Sequence, residues 1–402
     1  MSTRSWHSIY PLIAFNDPRD VVHAQPTFFC CEVLFLCLAV VGLVDAAKRP
    51  RGLLTFAACL LGGAGVELVT ILHQEVGNFY HSQATIMLFG RREPLYMLLG
   101  CYGWIAHAAM LLSQHLGGSL TQQACFGGLL GAEAWALLDM VGARLLWWTW
   151  HNDEPLYADR EGGVPVASSF WILASMGSLP LTLRYCCPSS NPMWGFVAGP
   201  LATLGLMHLP FLLIFHPLVT FLKLHAAYSL WILRLLCTVP LVPHIRAAFS
   251  AVVAPRKKPS PSAASADHSA VFRHLSVFVL SIVLIAILGD PTAERRTSFS
   301  QPCFRNSGRQ KGGSCPQMES SFWGGFARKA YVCTNDNVPS HDLYRICDER
   351  CDAARTALDW YTACGVAPES FEWHLLVFIH AVVVMALACL PFANKGGGKQ
   401  KA

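Results

Sequence analysis

Residues 27–46 read TFFCCEVLFLCLAVVGLVDA, and residues 373–392 read WHLLVFIHAVVVMALACLPF. Each is a run of about 20 mostly apolar residues, the length at which a helix rising about 1.5 Å per residue crosses a hydrocarbon core about 30 Å thick. Seven further stretches repeat the pattern, at approximately 53–73, 95–115, 122–148, 166–184, 194–215, 218–242 and 271–289. The sequence therefore predicts an all-α fold, a polytopic transmembrane helical bundle of about nine spans. Only His216-Pro217 divides the sixth from the seventh, which form either a tight helical hairpin or a broken pair.

Composition agrees. Of 402 residues, 53% are hydrophobic and 14% charged, where a soluble domain carries roughly 25% charged residues. A surface so poor in charge must face lipid. The formal net charge of +5 is mild, which argues against a nucleic-acid partner and leaves membrane lipids as the general one. No cleavable signal peptide is expected, because the first apolar run follows Asp17, Arg19 and Asp20 rather than a basic segment.

Basic clusters set the expected orientation. Lys48, Arg49 and Arg51, then Arg256, Lys257 and Lys258, then Lys395, Lys399 and Lys401 fall on one side if nine spans begin outside. Arg91 and Arg92, and Arg295 and Arg296, fall on the other. The reading gives an extracytoplasmic segment 1–26, a seven-span body 27–243, a disordered cytoplasmic linker 244–270 rich in Pro, Ser and Ala, and a span at 271–289. A cysteine-rich extracytoplasmic loop 290–372, a span at 373–392 and a basic cytoplasmic tail 393–402 complete it. A membrane of the secretory pathway, endoplasmic reticulum or plasma membrane, is the expected location.

The loop holds Cys303, Cys315, Cys333, Cys347, Cys351 and Cys364. Six cysteines on an oxidising side read as a disulfide framework, with all fifteen pairings open. Zinc is the weaker reading, since no Cys-x-x-Cys occurs there. Ser340 to Cys364 is expected to form an amphipathic helix, started at Pro339-Ser340 and stopped at Gly365. Cys186 and Cys187, at a cytoplasmic membrane edge, are candidates for palmitoylation.

Ionisable side chains inside spans are costly and therefore functional candidates. Glu67, His107, Glu133 and Asp139 stand out. Glu67 shares a stripe with Gly63, Ala64 and Thr70, small enough to admit a neighbouring helix. The plainer reading of any such carboxyl is one buried and hydrogen-bonded between helices. Arg144, eleven residues after Glu133, is expected to neutralise it. Trp147, Trp148 and Trp150 read either as an interfacial belt or as π-faces beside developing positive charge. His73, Glu75 and His81 fit no standard metal spacing, so neither a metal nor another cofactor is expected.

From Glu67 to about Trp171 the chain resembles membrane-embedded carotenoid biosynthesis proteins typified by bisanhydrobacterioruberin hydratase. The likeness rests on Glu67 followed by Gly77-Asn78-Phe79-Tyr80, on Pro94-Leu95 opening a span that bears Trp104, and on Asp139 eleven residues before Trp150. Tyr157 before Gly163-Val164-Pro165, Ser168, Ser169, Phe170 and Trp171 completes it. Asp139-Met140 stands where that family often has Asp-Pro, and the last two spans and the cysteine-rich loop have no counterpart there. The resemblance implies a divergent eukaryotic branch and hydration of an isoprenoid double bond. Glu67 would be general acid and Asp139 the base that positions water, with Trp104, His107, Trp148, Trp150 and Tyr157 lining a hydrophobic substrate. Two other classes remain: a transporter or lipid carrier, and a receptor-like or scaffolding protein with a partner on the cysteine-rich loop.

Overall fold

The computed structural model of the chain describes residues 10–72, 79–150, 157–186, 205–206, 208–253, 263–298, 303–304, 318–320, 327–329, 332–333, 343–348, 361–367 and 371–393. Among them, seven helices are long and apolar enough to cross a membrane: Pro26–Ala47, Gly52–Leu72, Leu120–Arg144, Val166–Tyr185, Ala226–Ser250, Ser269–Leu288 and Phe371–Phe392. The protein is a mostly helical, multi-pass membrane protein.

The other two expected spans depart from regular α-helix. The third is π-helical over Met97–Ile105 and α-helical over Ala106–Leu116. The sixth, described from His208, carries π turns at Phe211–Phe215 and Pro217–Phe221. Its break falls at residues 222–225, not at His216-Pro217. The wider turn absorbs the proline, because Leu222 N donates to Pro217 O at 3.1 Å and His216 Nδ1 meets Thr220 Oγ1 at 3.1 Å.

Helix Leu120–Arg144 is the centre of the bundle, 89% of its apolar window being buried. Ser119 and Gln122 form a capping box at its start. A Cβ on Gly128 would lie 3.1 Å from Leu173 O, so the helix Val166–Cys186 packs backbone to backbone against it. The helix ends at Arg144, earlier than the expected 148, because Leu146 turns left-handed at φ 58° and sends the chain back. Trp147, Trp148 and Trp150 are consequently buried at 0%, 0% and 2% exposure and form no interfacial belt. The expected Arg144–Glu133 pairing also gives way. Glu133 instead binds Arg234 Nη2 at 3.2 Å and His380 Nδ1 at 2.6 Å, tying three helices together.

One end of the bundle carries a cap of short strands. Strand β1 (Ile13–Phe15) pairs antiparallel with β3 (Ile86–Leu88), and β3 with β4 (Glu93–Pro94). Strand β2 (Phe79–His81) pairs with β5 (Trp148–Trp150), in register Phe79↔Trp150, Tyr80↔Thr149 and His81↔Trp148. Side chains bind the cap to the helix ends. Gln25 Nε2 donates to Leu146 O at 3.0 Å, Trp147 Nε1 to Thr27 Oγ1 at 2.9 Å, and Thr27 Oγ1 to Glu294 at 2.7 Å.

The described residues of the cysteine-rich loop are mostly short strands. Strand β6 (Arg295–Ser298) and strand β7 (Tyr344–Asp348) flank the central β8 (Tyr361–Gly365), all antiparallel. The expected helix from Ser340 to Cys364 is corrected at both ends. Tyr344, Ile346, Tyr361 and Thr362 favour strand, and Cys347, on a bulge of β7, is disulfide-bonded to Cys364 with 5.8 Å between Cα atoms. Cys303 and Cys333 lie on two short paired parallel strands, while Cys315 and Cys351 fall outside the described residues. The linker expectation is corrected in part, since Val242–Val253 is helical and the next helix begins at Ala263. Residues 254–262, Cys187 and the tail from 394 lie outside the described residues.

Candidate functional site

Glu67 lies near the cap end of helix Gly52–Leu72, one turn after Gly63 on the same face. A Cβ on Gly63 would meet the Tyr102 ring at 2.0 Å, so the glycine is what lets that ring lie against the helix. Tyr102 belongs to the π-helix, whose wider turn commonly re-aims side chains at functional positions. Its hydroxyl donates to Glu67 Oε1 at 2.6 Å. The small-residue stripe read from the sequence thus serves to admit a tyrosine.

Two cap residues complete the cluster. Side chains alternate along β2. Phe79 and His81 share the face of Trp148 and Trp150, with ring centroids 5.2 Å apart for Phe79 and Trp150 and 6.2 Å for His81 and Trp148. On the other face, buried Arg296 donates to Tyr80 O at 2.9 Å and to Thr149 Oγ1, locking the ribbon. Glu93 is set by its pairing with Leu88 and is wholly buried. His81 Nε2 lies 3.1 Å from Glu93 Oε2, an approach too poorly directed for a hydrogen bond. Glu67, His81 and Glu93 each bring one ligand-capable atom within 4.8 Å of the others.

Burial decides the charge states in the cap. It lowers His81 to about 4, so its ring is neutral near pH 7, and it pushes the Glu93 carboxyl well up. Neither ring nitrogen of His81 nor either carboxylate oxygen of Glu93 has a hydrogen-bond partner.

Asp139 adjoins this cluster from the central helix. Cys101, next to Tyr102, lies within the electrostatic reach of Asp139, Glu93 and Glu67. The Trp148 indole lies beside Asp139 and faces His81. A Cβ on Gly142 would sit 2.4 Å from the Trp148 ring, so the indole folds directly over the helix that carries Asp139. Trp148 and Trp150 meet Ala143, Thr149, Arg160, Leu343 and Tyr344 around a narrow gap, which brings residues 343 and 344 of the cysteine-rich loop against this strand. Tyr157 is buried at the same end, its carbonyl accepting from Arg160 at 3.2 Å. Burial lowers that guanidinium to about 10.

Two expected residues lie elsewhere. Trp104 packs on Phe278 and beneath Gly42, and His107 packs on Phe56 in the field of Asp45 and Arg49, at the far end of the bundle. Sequence reasoning passed over Glu93, Tyr102 and Arg296. A charged residue fixed directly before Pro94 at the mouth of a span was the available signal for Glu93. His73 and Glu75 lie outside the described residues.

The arrangement offers buried carboxyls of two kinds. Glu67 and Glu93 stand with a neutral imidazole and can hold a water or a cation, while Asp139 stands against an indole. No curated protein and no solved structure matches the chain. A domain family does, over residues 11–393, nearly the whole length. The chain belongs to that family, described as the domain of unknown function DUF7802.

Proposed function

We propose that the protein is a membrane-embedded enzyme that adds water to a carbon–carbon double bond of an isoprenoid or similar lipid. The carrying observation is convergence. Glu67 and Asp139, on two different spans, are both within electrostatic reach of Cys101, and Trp148 lies between the Asp139 helix and His81, an arrangement compatible with an acid–base pair for one substrate.

The surroundings support roles reversed from those the family resemblance implies. Glu67 is anchored by Tyr102 and grouped with His81 and Glu93, a set suited to holding water. Asp139 Oδ1 accepts no hydrogen bond, and the carboxyl is buried beside the Trp148 indole, a setting we read as that of a proton donor. Asp139 gives its proton to one alkene carbon, leaving positive charge on the other. Trp148 and Trp150 shield that cation, and the held water attacks it. The proton lost from the water returns to the Asp139 carboxylate, so the sum is alkene plus water to alcohol.

The cap end supports the orientation read from the basic clusters. A disulfide at Cys347–Cys364 persists in an oxidising compartment, which supports our reading that the active end faces the lumen or exterior of a nine-span chain. Untargeted lipid mass spectrometry on cells lacking the protein tests the reading. A species short of one water accumulates in the null and is cleared by wild type but not by Asp139→Asn. An unchanged lipid profile would end the enzyme reading in favour of transport or of a partner for the loop.

A further inference from the structure

Three successive chain segments bring a carboxylate, an imidazole and a second carboxylate to one buried point. We infer that Glu67, His81 and Glu93 bind a single divalent first-row transition-metal ion, of the zinc, manganese or iron kind.

Unmet valence is the first argument. His81 is 3% exposed and Glu93 0%, yet both ring nitrogens and both carboxylate oxygens lack hydrogen-bond partners. Buried polar groups are almost always satisfied, and leaving one unsatisfied costs about 1–3 kcal/mol. Two of these atoms, His81 Nε2 and Glu93 Oε2, converge with a Glu67 carboxylate oxygen, and such a point needs an occupant with acceptor-seeking character. A cation has it.

Geometry is the second. Ligands bound at about 2.0–2.2 Å stand roughly 3–3.5 Å apart around one ion. His81 Nε2 and Glu93 Oε2 are already 3.1 Å apart, and the third atom lies within 4.8 Å. Small side-chain rotations close the set. Tyr102, donating to Glu67, supplies the outer hydrogen bond that orients a ligating carboxylate.

Donor chemistry selects the class. Calcium takes six to eight oxygens and magnesium keeps most of its water, whereas mixed imidazole and carboxylate suits zinc, iron and manganese. Charge agrees, since two carboxylates balance a divalent ion. Arg296, the cation that acts on His81, is committed to Tyr80 O and Thr149 on the opposite face of the ribbon. Three protein ligands leave a position for water, which deepens the hydratase reading by naming what holds the nucleophile. Metal binding itself does not depend on that reading. The competing occupant is a proton shared between the two carboxyls.

The test uses the full chain in detergent, carrying no polyhistidine tag, stripped with chelator, and loaded separately with zinc, manganese and anaerobic ferrous iron before elemental mass spectrometry. We expect one ion per chain, reduced about tenfold or more in Glu93→Gln and in His81→Gln. Glu133→Gln, at the other buried carboxyl and histidine pair, keeps full loading. Because a ligand variant can misfold, wild type loaded with manganese is also examined for nitrogen hyperfine coupling, which an imidazole ligand produces. Loading far below one ion with all three metals, equal loading in the ligand variants, or no nitrogen coupling would overturn the site. Full loading with an unchanged lipid profile keeps the metal and removes the hydratase.

Discussion

Tyr102 reaches Glu67 across a helix pair held at contact distance by a missing side chain. The 2.6 Å hydrogen bond exists because nothing but hydrogen projects from Gly63 beneath the ring. Gly63→Ala would therefore push the π-helix away, costing about 1–3 kcal/mol as overpacking. Tyr102→Phe, which keeps the shape and loses the donor, costs only about 1 kcal/mol. Thermal unfolding of the two variants in the same detergent measures the ordering, and a more severe loss in Tyr102→Phe would contradict it.

Arg296 staples the ribbon β2–β5 from a segment far along the chain. In Arg296→Met the Tyr80 carbonyl and Thr149 hydroxyl lose a charged donor, worth about 1.5–3 kcal/mol for each such bond. Hydrogen exchange at residues 79–81 and 148–150 should rise sharply while the central helix stays protected. Unchanged exchange in the ribbon would show that the aromatic face alone holds it.

Burial raises Glu294 from 4.5 to about 7, against two hydrogen bonds from Thr27 that lower it. The folded protein thus binds this proton more tightly than the unfolded chain does. Its contribution to stability is full below about pH 4.5 and is lost as pH rises through about 7. The wild-type melting temperature should fall over that window more than that of Glu294→Gln, which cannot titrate. Parallel profiles would assign the change to other groups.

Glu133, Arg234 and His380 form a buried ion group with Glu161 at its edge, 3.5 Å from Arg234. Removing one partner leaves uncompensated charge, so Arg234→Met alone should destabilise by about 3–5 kcal/mol. The double variant Arg234→Met with Glu133→Gln should recover part of that. A double variant as unstable as the sum would mean the two residues act independently.

Cysteine 347 and Cys364 close a loop of sequence separation 17. Intact-mass analysis after alkylation, with and without reductant, should show this pair protected until reduced. Losing it in the double serine variant should cost about 3 kcal/mol.

The spans were legible because about 20 apolar residues in a row have few other solutions. Glu67 and Asp139 were legible for the same reason, since charge within such a run is conspicuous. Their partners were not. His81, Glu93 and Arg296 sit in short polar segments where a residue's neighbour is set by strand register and by contacts up to 216 positions away. Arg144 looked a natural partner for Glu133 because helical spacing is visible in one chain segment, whereas Arg234 and His380 arrive from other helices. The helix expected from Ser340 to Cys364 is replaced by strand at 344–348 and 361–364 for a similar reason. A spacing of four, as between Cys347 and Cys351, implies a shared helical face only if a helix forms, and residues 344–348 instead pair as a strand with 361–365.

Arg296 also imposes an order on synthesis. Tyr80 leaves the ribosome 216 residues before its guanidinium partner, a delay of about 10–40 s at typical elongation rates of roughly 5–20 residues per second. During that interval the ribbon's outer face is an open socket. A transcript truncated before residue 296 would leave it so permanently, and the unpaired Tyr80 carbonyl and Thr149 hydroxyl would then mark a chain whose last quarter never arrived.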